Sequence, residues 1–252
     1  MKQVFLETQN VAKFREALWI LEDTERGQPG LGVVWGQAGR GKTLCAREYA
    51  VRTQAVYLRV MEDWTPRAML AALCWELNGS EPFSTERCKK IVCSELERQH
   101  KTVLVDEADR LSVGLVEHLR DIHDVTGHPV ILIGEEHLFP TLAARRRLWS
   151  RVTQTVEFKP IHIEDIILFG LKAADLRIEH DAASRIASRS SGDFRLVWTD
   201  VQGLEQMARA AGTKQADLRM VEALPQRRLG PKPARPAGPA ARTRTGGGNG
   251  NS

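Results

Sequence analysis

A glycine-rich stretch whose residues could bind phosphate runs from Gly36 to Thr43 and reads GQAGRGKT. It follows the apolar segment GLGVVW and precedes a segment with helical character, which is the setting in which the pattern G-x-x-x-x-G-K-[ST] indicates a phosphate loop rather than a chance glycine-rich turn. Glycines let the backbone direct successive N–H groups at a phosphate, and the following helix N-terminus adds partial positive charge. The residues predicted to contact the nucleotide here are Gly36, Gln37, Ala38, Gly39, Arg40, Gly41, Lys42 and Thr43.

Two acids, Asp106 and Glu107, end a second apolar segment that begins at Thr102. A carboxylate at the end of such a strand can complete a Mg²⁺ site, so Asp106 and Thr43 are predicted to bind the metal. The neighbouring carboxylate of Glu107 can orient or deprotonate an attacking water. Alone, the pair is equally consistent with a turn at a strand end. Together with the phosphate loop, it predicts ATP and Mg²⁺ as cofactors and Glu107 as a catalytic residue.

Hydrolysis also requires positive charge near the γ-phosphate, and two arginines are candidates for it. Arg151 follows a third apolar segment, 129–134, and Arg195 opens a helical segment. Both are predicted to be catalytic, although each is also consistent with an ordinary surface arginine. Residues that could replace Arg151 in this role are the neighbouring Arg145, Arg146 and Arg147.

Short apolar segments alternate with helical ones through the first 159 residues. The apolar segments are rich in β-branched residues and bounded by polar or turn residues, as buried parallel strands are. They span residues 30–35, 55–60, 102–107, 129–134 and 153–158. Segments with helical character lie between them, at about 43–51, 66–77, 84–98 and 113–125. This alternation predicts an α/β fold with a parallel sheet between helices.

After Pro160 only helical segments follow, up to residue 224. The predicted organisation is therefore an α/β nucleotide-binding core over 1–159, a small all-helical domain over 160–224 and a disordered tail over 225–252. The tail holds six basic residues and no acids, which leaves −2 of the formal net charge of +4 for the preceding residues. This composition is consistent with a plain flexible end or with an arm that contacts phosphates or a partner protein.

Composition and patterning also bear on location. A hydrophobic content of 42% excludes a wholly disordered chain. The sequence contains no run of about 18 apolar residues and no secretory pattern. We therefore expect no membrane partner and a cytoplasmic location. The four cysteines form no CxxC pair and are expected to be reduced thiols, and no metal site built from histidine and cysteine is expected.

The motifs together resemble those of the AAA+ superfamily over about residues 10–224. The resemblance implies a P-loop AAA+ core with a helical lid and an ATP site completed by an arginine of a neighbouring subunit. The segment SGDFR, ending at Arg195, resembles the sensor-2 element of that family. Glu135 occupies the sensor-1 position, where relatives often carry a small polar residue, and Glu136 follows it. A carboxylate facing the γ-phosphate is unfavourable and predicts slow hydrolysis.

Within that superfamily the chain resembles the transposition ATPases of the phage Mu B and TnsC type. The core is compact, VLVDEADRL is followed by a helix and by VILIG ending in GEEHL, and the lid is short with a basic tail. The resemblance implies an ATPase from a phage or another mobile element, in the bacterial cytoplasm or nucleoid, that is stimulated by DNA or a partner. It further implies assembly as an oligomer or filament on double-stranded target DNA and activation of a DDE transposase.

Basic residues that could contact DNA phosphates, in a salt-sensitive and sequence-independent way, occur after the second strand. The candidates are Thr65, Arg67, Arg87, Lys89 and Lys90. Each is also consistent with a solvated helix face. Two other functions stay open: an AAA+ ATPase with a different partner, as in helicase loaders, initiator-like proteins or secretion ATPases, and a nucleotide-gated scaffold with little hydrolysis.

Overall fold

The computed structural model describes residues 1–23 and 30–225 of the chain. All of the predicted basic tail except Pro225 lies outside the described residues. Among the residues that are described, none of the helices has both the length and the apolar character needed to cross a membrane.

Five parallel strands form a central sheet in the order β2-β3-β4-β1-β5. They are β1 (Leu31–Trp35), β2 (Val56–Arg59), β3 (Val103–Asp106), β4 (Val130–Gly134) and β5 (Val152–Glu157). The first four lie within segments predicted to be strands, β5 begins one residue before its predicted segment, and the predicted α/β fold is confirmed. The strands β3 and β4 are buried at every position, which explains why they read as continuous apolar runs rather than as alternating ones.

Helices cover both faces of the sheet. They are α1 (Gln9–Glu22), α2 (Lys42–Thr53), α3 (Pro66–Asn78), α4 (Thr85–Gln99), α5 (Val113–Thr126), and the short α6 (Leu138–Ala143) and α7 (Arg146–Trp149). Leu104 of β3 packs with α1 and α2 on one face, whereas Val103 and Val105 pack with α3, α4 and α5 on the other. Successive side chains of a strand point to opposite faces, so a strand covered on both faces needs an apolar residue at each position.

The carboxyl ends of the strands determine where the predicted site residues meet. The strand β1 leads into the phosphate loop, β3 into Glu107 and β4 into Glu135. Because the strands are parallel and adjacent, the segments that follow them lie at the same edge of the sheet.

The C-terminal helices form the rest of the described chain. They are α8 (Ile163–Ala174), α9 (His180–Ser190), α10 (Phe194–Ala210) and α11 (Leu218–Ala223). They share a core in which Phe169, Ile186 and Val197 are buried, and Leu6 from the start of the chain packs into it. The helical character predicted for this part is confirmed, with the addition of one short parallel pair, β6 (Arg177–Ile178) and β7 (Gln215–Ala216). The domain boundaries themselves stay a prediction.

Candidate nucleotide-binding site

The phosphate loop joins β1 to α2 and requires glycine at two positions. Gly36 has a φ of +147°, and a Cβ atom there would lie 2.6 Å from the carbonyl oxygen of Phe158. Gly39 has a φ of +78°, and a Cβ atom there would lie 2.1 Å from the carboxylate carbon of Asp193. Other residues adopt a left-handed backbone only at a cost, and both approaches leave no room for a side chain.

The Lys42 side chain folds back into the phosphate loop. Its Nζ donates hydrogen bonds to the carbonyl oxygens of Gly36, at 2.6 Å, and Gln37, at 2.8 Å. The residue is 9% exposed. Burial lowers the pKa of Lys42, and the nearby carboxylates, Glu135 first and then Asp106, oppose that shift. A desolvated ammonium held by two neutral carbonyl oxygens can exchange them for anionic phosphate oxygens, which bind it more strongly.

Asp106 ends β3 and is 2% exposed. Its Oδ2 accepts a hydrogen bond from the Tyr57 hydroxyl at 2.7 Å, and its Oδ1 accepts one from the backbone N–H of Glu107 at 3.0 Å. Burial, and then the hydrogen bond to Asp106, raise the pKa of Tyr57, so its hydroxyl is a donor. Thr43 and Asp106 line the same cleft. A hydroxyl and a carboxylate oxygen are hard ligands, so these residues fit the predicted Mg²⁺.

Glu107 follows the strand in a left-handed conformation, with a φ of +59°. Its Oε1 lies 3.5 Å from Nη2 of Arg59, and its Oε2 lies 3.5 Å from Nε of Arg110. Arg59 ends β2, whose register places it opposite Asp106. Both oxygens of the predicted catalytic carboxylate are therefore engaged by guanidinium groups of the same chain.

The segment after β4 brings a further carboxylate to this cleft. Glu135 lines the cleft and is exposed, and its backbone N–H donates a hydrogen bond to Oδ1 of Asp109 at 3.0 Å. Among the acids that oppose the lowered pKa of Lys42, Glu135 has the largest effect. The Glu135 carboxylate therefore lies in the same cleft as Lys42, and its role at the phosphate site and its effect on hydrolysis stay predictions.

The loop between α9 and α10 packs directly on the phosphate loop. The backbone N–H of Phe194 donates a hydrogen bond to the carbonyl oxygen of Gly39 at 2.8 Å. In the opposite direction, Nη1 of Arg40 donates to the carbonyl oxygen of Ser191 at 2.7 Å. Burial lowers the pKa of Arg40, and the carboxylate of Asp193 opposes that shift. The C-terminal helices are therefore attached to the loop that is proposed to hold the phosphates.

Arg195 reaches the cleft from the first turn of α10. Its backbone N–H donates a hydrogen bond to Oδ1 of Asp193 at 2.8 Å, which caps the helix. The guanidinium Nε lies 3.5 Å from the same oxygen, and the side chain is 70% exposed. This cleft has a volume of about 460 Å³, and it is lined by residues 38–43 of the phosphate loop, by Asp106 and Glu107, and by Arg195.

Arg151, in contrast, does not line this cleft. It precedes β5, whose first residue, Val152, pairs with Leu31 at the amino end of β1. Its Nε and Nη2 lie 3.2 and 3.4 Å from the two carboxylate oxygens of Asp124, and its Nη1 donates to the Ser150 hydroxyl at 3.0 Å. Within one chain, Arg151 therefore lies at the sheet edge opposite the phosphate loop. The alternative arginines, all exposed, are Arg145, Arg146 and Arg147.

Two of the predicted DNA contacts lie at the start of α3 and have local structural roles. The Thr65 hydroxyl accepts a hydrogen bond from the backbone N–H of Ala68 at 3.2 Å and caps the helix. Nε of Arg67 donates to the carbonyl oxygen of Phe83 at 2.9 Å, which ties α3 to the segment before α4.

The other three predicted DNA contacts lie in the first half of α4. Lys89 pairs with Asp121 and Lys90 pairs with Glu86, each at 2.7 Å. Arg87 is exposed. Binding of DNA phosphates by either lysine would have to compete with a carboxylate that already neutralises it.

Residues 25–142 match a family model described as an AAA domain. Over 157 residues the chain is 27% identical to the "ATP-dependent target DNA activator B" of Escherichia phage Mu, and equally to that of Escherichia phage D108. The chain therefore resembles AAA+ proteins and, among them, the Mu B target DNA activators. These alignments cover 61% of the chain and 47% of each relative, so the chain spans about half the length of the curated relatives it matches.

Solved structures also share the fold of this chain. The Aeropyrum pernix ORC2 protein matches with a TM-score of 0.63 over 88% of this chain and 69% of that one, at 12% identity. The Thermotoga maritima RuvB Holliday junction branch migration motor matches with a TM-score of 0.57 over 86% and 68%, at 22% identity. At such identities the likeness concerns the fold alone, and together with the AAA domain match it confirms the predicted fold class.

Several residues at the candidate nucleotide-binding site were not singled out from the sequence. They are Tyr57, Arg59 and Arg110. Asp193 and Phe194 belong to the segment SGDFR, but their contacts with the phosphate loop were not predicted. Tyr57 and Arg59 lie two apart in a predicted strand, a spacing that places both side chains on one face of the sheet. That signal becomes useful only once β2 is known to lie beside β3.

Proposed function

We propose that this chain binds Mg²⁺–ATP in the cleft and hydrolyses it slowly. The observation that carries the proposal is that Lys42, Thr43, Asp106 and Glu107 line one cleft although they belong to two different strand–loop segments. Lys42 exchanges two carbonyl oxygens for phosphate oxygens when the nucleotide enters. Thr43 and Asp106 would hold the Mg²⁺, which neutralises phosphate charge when bound.

The chemical step belongs to Glu107 in this proposal. Its carboxylate orients the attacking water and accepts a proton from it, and it must first leave Arg59 or Arg110 to do so. The need to break an ion pair, together with the charge of Glu135 at the cleft, supports a low basal rate. In this proposal, DNA or a partner protein stimulates hydrolysis by releasing Glu107 from Arg59 or Arg110.

Positive charge for the γ-phosphate comes from two arginines in this proposal. Arg195 lines the cleft of its own chain. Arg151 lies at the opposite sheet edge, so we assign it to the cleft of a neighbouring copy. The proposed active unit is therefore an oligomer in which ATP lies between subunits.

The proposed biological role is that of a DNA-bound transposition helper. Relatives named as ATP-dependent target DNA activators support it. In this proposal the chain assembles with ATP on double-stranded DNA as a ring or helical filament in the cytoplasm, recruits a DDE transposase, and disassembles on hydrolysis. Its proposed DNA-contacting residues are Thr65, Arg67, Arg87, Lys89 and Lys90.

Electron microscopy of the chain with duplex DNA tests this role. We expect rings or filaments with ATP and Mg²⁺, and none with ADP. The Lys42→Ala variant should not assemble, whereas Glu107→Gln should assemble and not hydrolyse ATP. A matched control is Arg52→Ala, which removes an exposed α2 side chain that lies near Glu48 and should assemble normally. Monomers only, with ATP and duplex DNA present, would show the proposal to be wrong.

A second candidate function, a nucleotide-gated scaffold with little hydrolysis, is favoured by the two ion pairs of Glu107. In that case ATP binding alone would switch assembly. Single-turnover hydrolysis separates the two functions: a measurable rate in the unmodified chain that Glu107→Gln abolishes supports the ATPase. A rate already absent in the unmodified chain, with assembly intact, supports the scaffold.

A further inference from the structure

The strand β2 presents a polar side chain to each acid of the site. Tyr57 and Arg59 are two residues apart, so their side chains leave the strand on the same face. The Tyr57 hydroxyl donates to Oδ2 of Asp106 at 2.7 Å, and Arg59 lies 3.5 Å from Glu107. The neighbouring strand therefore contacts both carboxylates, although neither residue belongs to the phosphate loop or to the strand that carries the acids.

The Asp106 carboxylate is fixed by two hydrogen bonds on different oxygens. The backbone N–H of Glu107 donates to Oδ1 at 3.0 Å, and the Tyr57 hydroxyl donates to Oδ2. Two hydrogen bonds on different oxygens restrict rotation of the carboxylate about its Cβ–Cγ bond more tightly than either bond alone. Asp106 is almost fully buried, and for such a group a donor is worth more than it is at the surface.

We propose that Tyr57 is a positioning residue for the magnesium ion, holding the Asp106 carboxylate in the orientation that the ion requires. This inference rests on the proposed Mg²⁺–ATP site. Groups that hydrogen-bond to a metal ligand set its orientation and commonly change metal affinity by about 10–100-fold when they are removed. A tyrosine that only satisfies a buried carboxylate would instead affect stability and leave the metal dependence of nucleotide binding unchanged.

The chain offers a matched pair of variants for the test. Its two tyrosines each donate to a carboxylate at 2.7 Å: Tyr57 to Asp106 and Tyr49 to Glu22. Tyr49 lies on α2 and packs against Phe14, and its partner Glu22 does not line the cleft, whereas Asp106 does. Tyr57→Phe and Tyr49→Phe therefore remove the same atom and the same kind of hydrogen bond, one at the site and one outside it.

The measurement is binding of a fluorescent ATP analogue to the full chain, without metal and at increasing Mg²⁺ concentration. We expect Tyr57→Phe to raise the Mg²⁺ concentration for half-maximal enhancement of binding about tenfold or more. Its affinity for the analogue in EDTA should stay within about twofold of the unmodified chain, since the change removes no phosphate contact. Tyr49→Phe should change neither quantity. In an Asp106→Asn background, Tyr57→Phe should have no further effect on the Mg²⁺ dependence.

Thermal melts of all variants control for folding. Equal Mg²⁺ dependence in Tyr57→Phe and Tyr49→Phe, with analogue binding intact, would overturn the positioning role and leave the proposed function standing. Absence of analogue binding by the unmodified chain at every Mg²⁺ concentration would overturn the proposed function and this inference together. A loss of analogue binding in EDTA that matches the loss with Mg²⁺ would also overturn the positioning role, because it would indicate a damaged cleft rather than a weakened metal site.

Discussion

Replacing Gly39 with alanine tests the contact between the phosphate loop and the C-terminal helices. Gly39 has a φ of +78°, and an added Cβ atom would lie 2.1 Å from Cγ and 2.2 Å from Oδ1 of Asp193. The Asp193 carboxylate cannot move without cost, because its Oδ1 accepts the hydrogen bond from the backbone N–H of Arg195 that caps α10. We therefore expect the substitution to displace the loop that precedes α10.

The expected cost has three parts. A non-glycine residue with a left-handed backbone costs about 1–2 kcal/mol. Loss of the Asp193 cap costs about 1 kcal/mol, and weakening of the hydrogen bond from Phe194 to Gly39 costs about 0.5–1 kcal/mol. The free energy of unfolding should fall by about 3 kcal/mol, which for a chain of this size lowers Tm by roughly 6–12 °C.

The assay is urea unfolding of a double-mutant cycle formed by Gly39→Ala and Asp193→Ala. Removal of the carboxylate relieves the clash, so the double variant should lose less than the sum of the single losses by about 1 kcal/mol or more. Gly79→Ala is the control: Gly79 has a φ of +72°, and an added Cβ atom would have no neighbour within 4 Å. In Gly79→Ala the free energy of unfolding should fall only by the cost of the left-handed backbone, about 1–2 kcal/mol. Additive losses in the cycle, or equal losses in Gly39→Ala and Gly79→Ala, would refute the contact.

Three further predictions concern catalysis, packing and pH. Arg59→Ala should raise the basal ATPase rate about two- to fivefold, because a partly exposed ion pair at 3.5 Å restrains the proposed catalytic carboxylate by only about 0.5–1 kcal/mol. Steady-state phosphate release measures this rate, and the control Arg52→Ala should leave it unchanged. A fall in the rate of Arg59→Ala would contradict the prediction. His123→Leu should lower the free energy of unfolding, measured in urea, by about 2–4 kcal/mol. His123 is 5% exposed, accepts a hydrogen bond from the backbone N–H of Gly30 and contacts the backbone carbonyl of His128 through Nδ1, so the change leaves one buried and one partly buried backbone group without these partners. A loss under about 1 kcal/mol would contradict it. The pKa of Glu95 is lowered from 4.5 to about 2 by hydrogen bonds from Gln99, Arg98 and Asn78, in that order, so its stabilising effect is present above pH 4.5 and is lost as the pH falls towards 2. Glu95→Gln should therefore show a smaller drop in Tm between pH 7 and pH 3 than the unmodified chain, and an equal drop would contradict the assignment.

The features that could be predicted from the sequence are local ones. The phosphate loop is eight consecutive residues between an apolar segment and a helix, so one short stretch of sequence contains all of its phosphate-binding groups. The acids at the end of β3 are similar, because the apolar run before them indicates the strand and the strand end positions them. Burial of a strand on both faces can also be predicted from the sequence, since β3 and β4 need an apolar residue at nearly every position.

The features that could not be predicted depend on which strands become neighbours. The run that contains Tyr57 and Arg59 reads only as a buried strand, and their contacts with the acids exist because β2 lies beside β3. The hydrogen bond from Arg40 to Ser191 joins residues 151 positions apart. No periodicity records such a pairing, because it depends on the tertiary path of the chain rather than on local preference.

The position of Arg151 limits the kinds of assembly that the proposed mechanism permits. Arg151 precedes β5 at the amino edge of the sheet, and the phosphate loop follows β1 at the carboxyl edge. The five residues of β1 separate the two edges by roughly 16 Å at about 3.3 Å per residue, so Arg151 cannot reach its own cleft without unfolding the sheet. If Arg151 acts on ATP, the amino edge of one copy must face the cleft of the next. Such a contact joins two different surfaces, so it repeats from copy to copy and produces a closed ring or an open helical filament. A two-fold symmetric dimer could use the contact only if each Arg151 reached the partner's cleft. An ATP-bound assembly in which Arg151 lies far from every cleft would therefore exclude this role of Arg151.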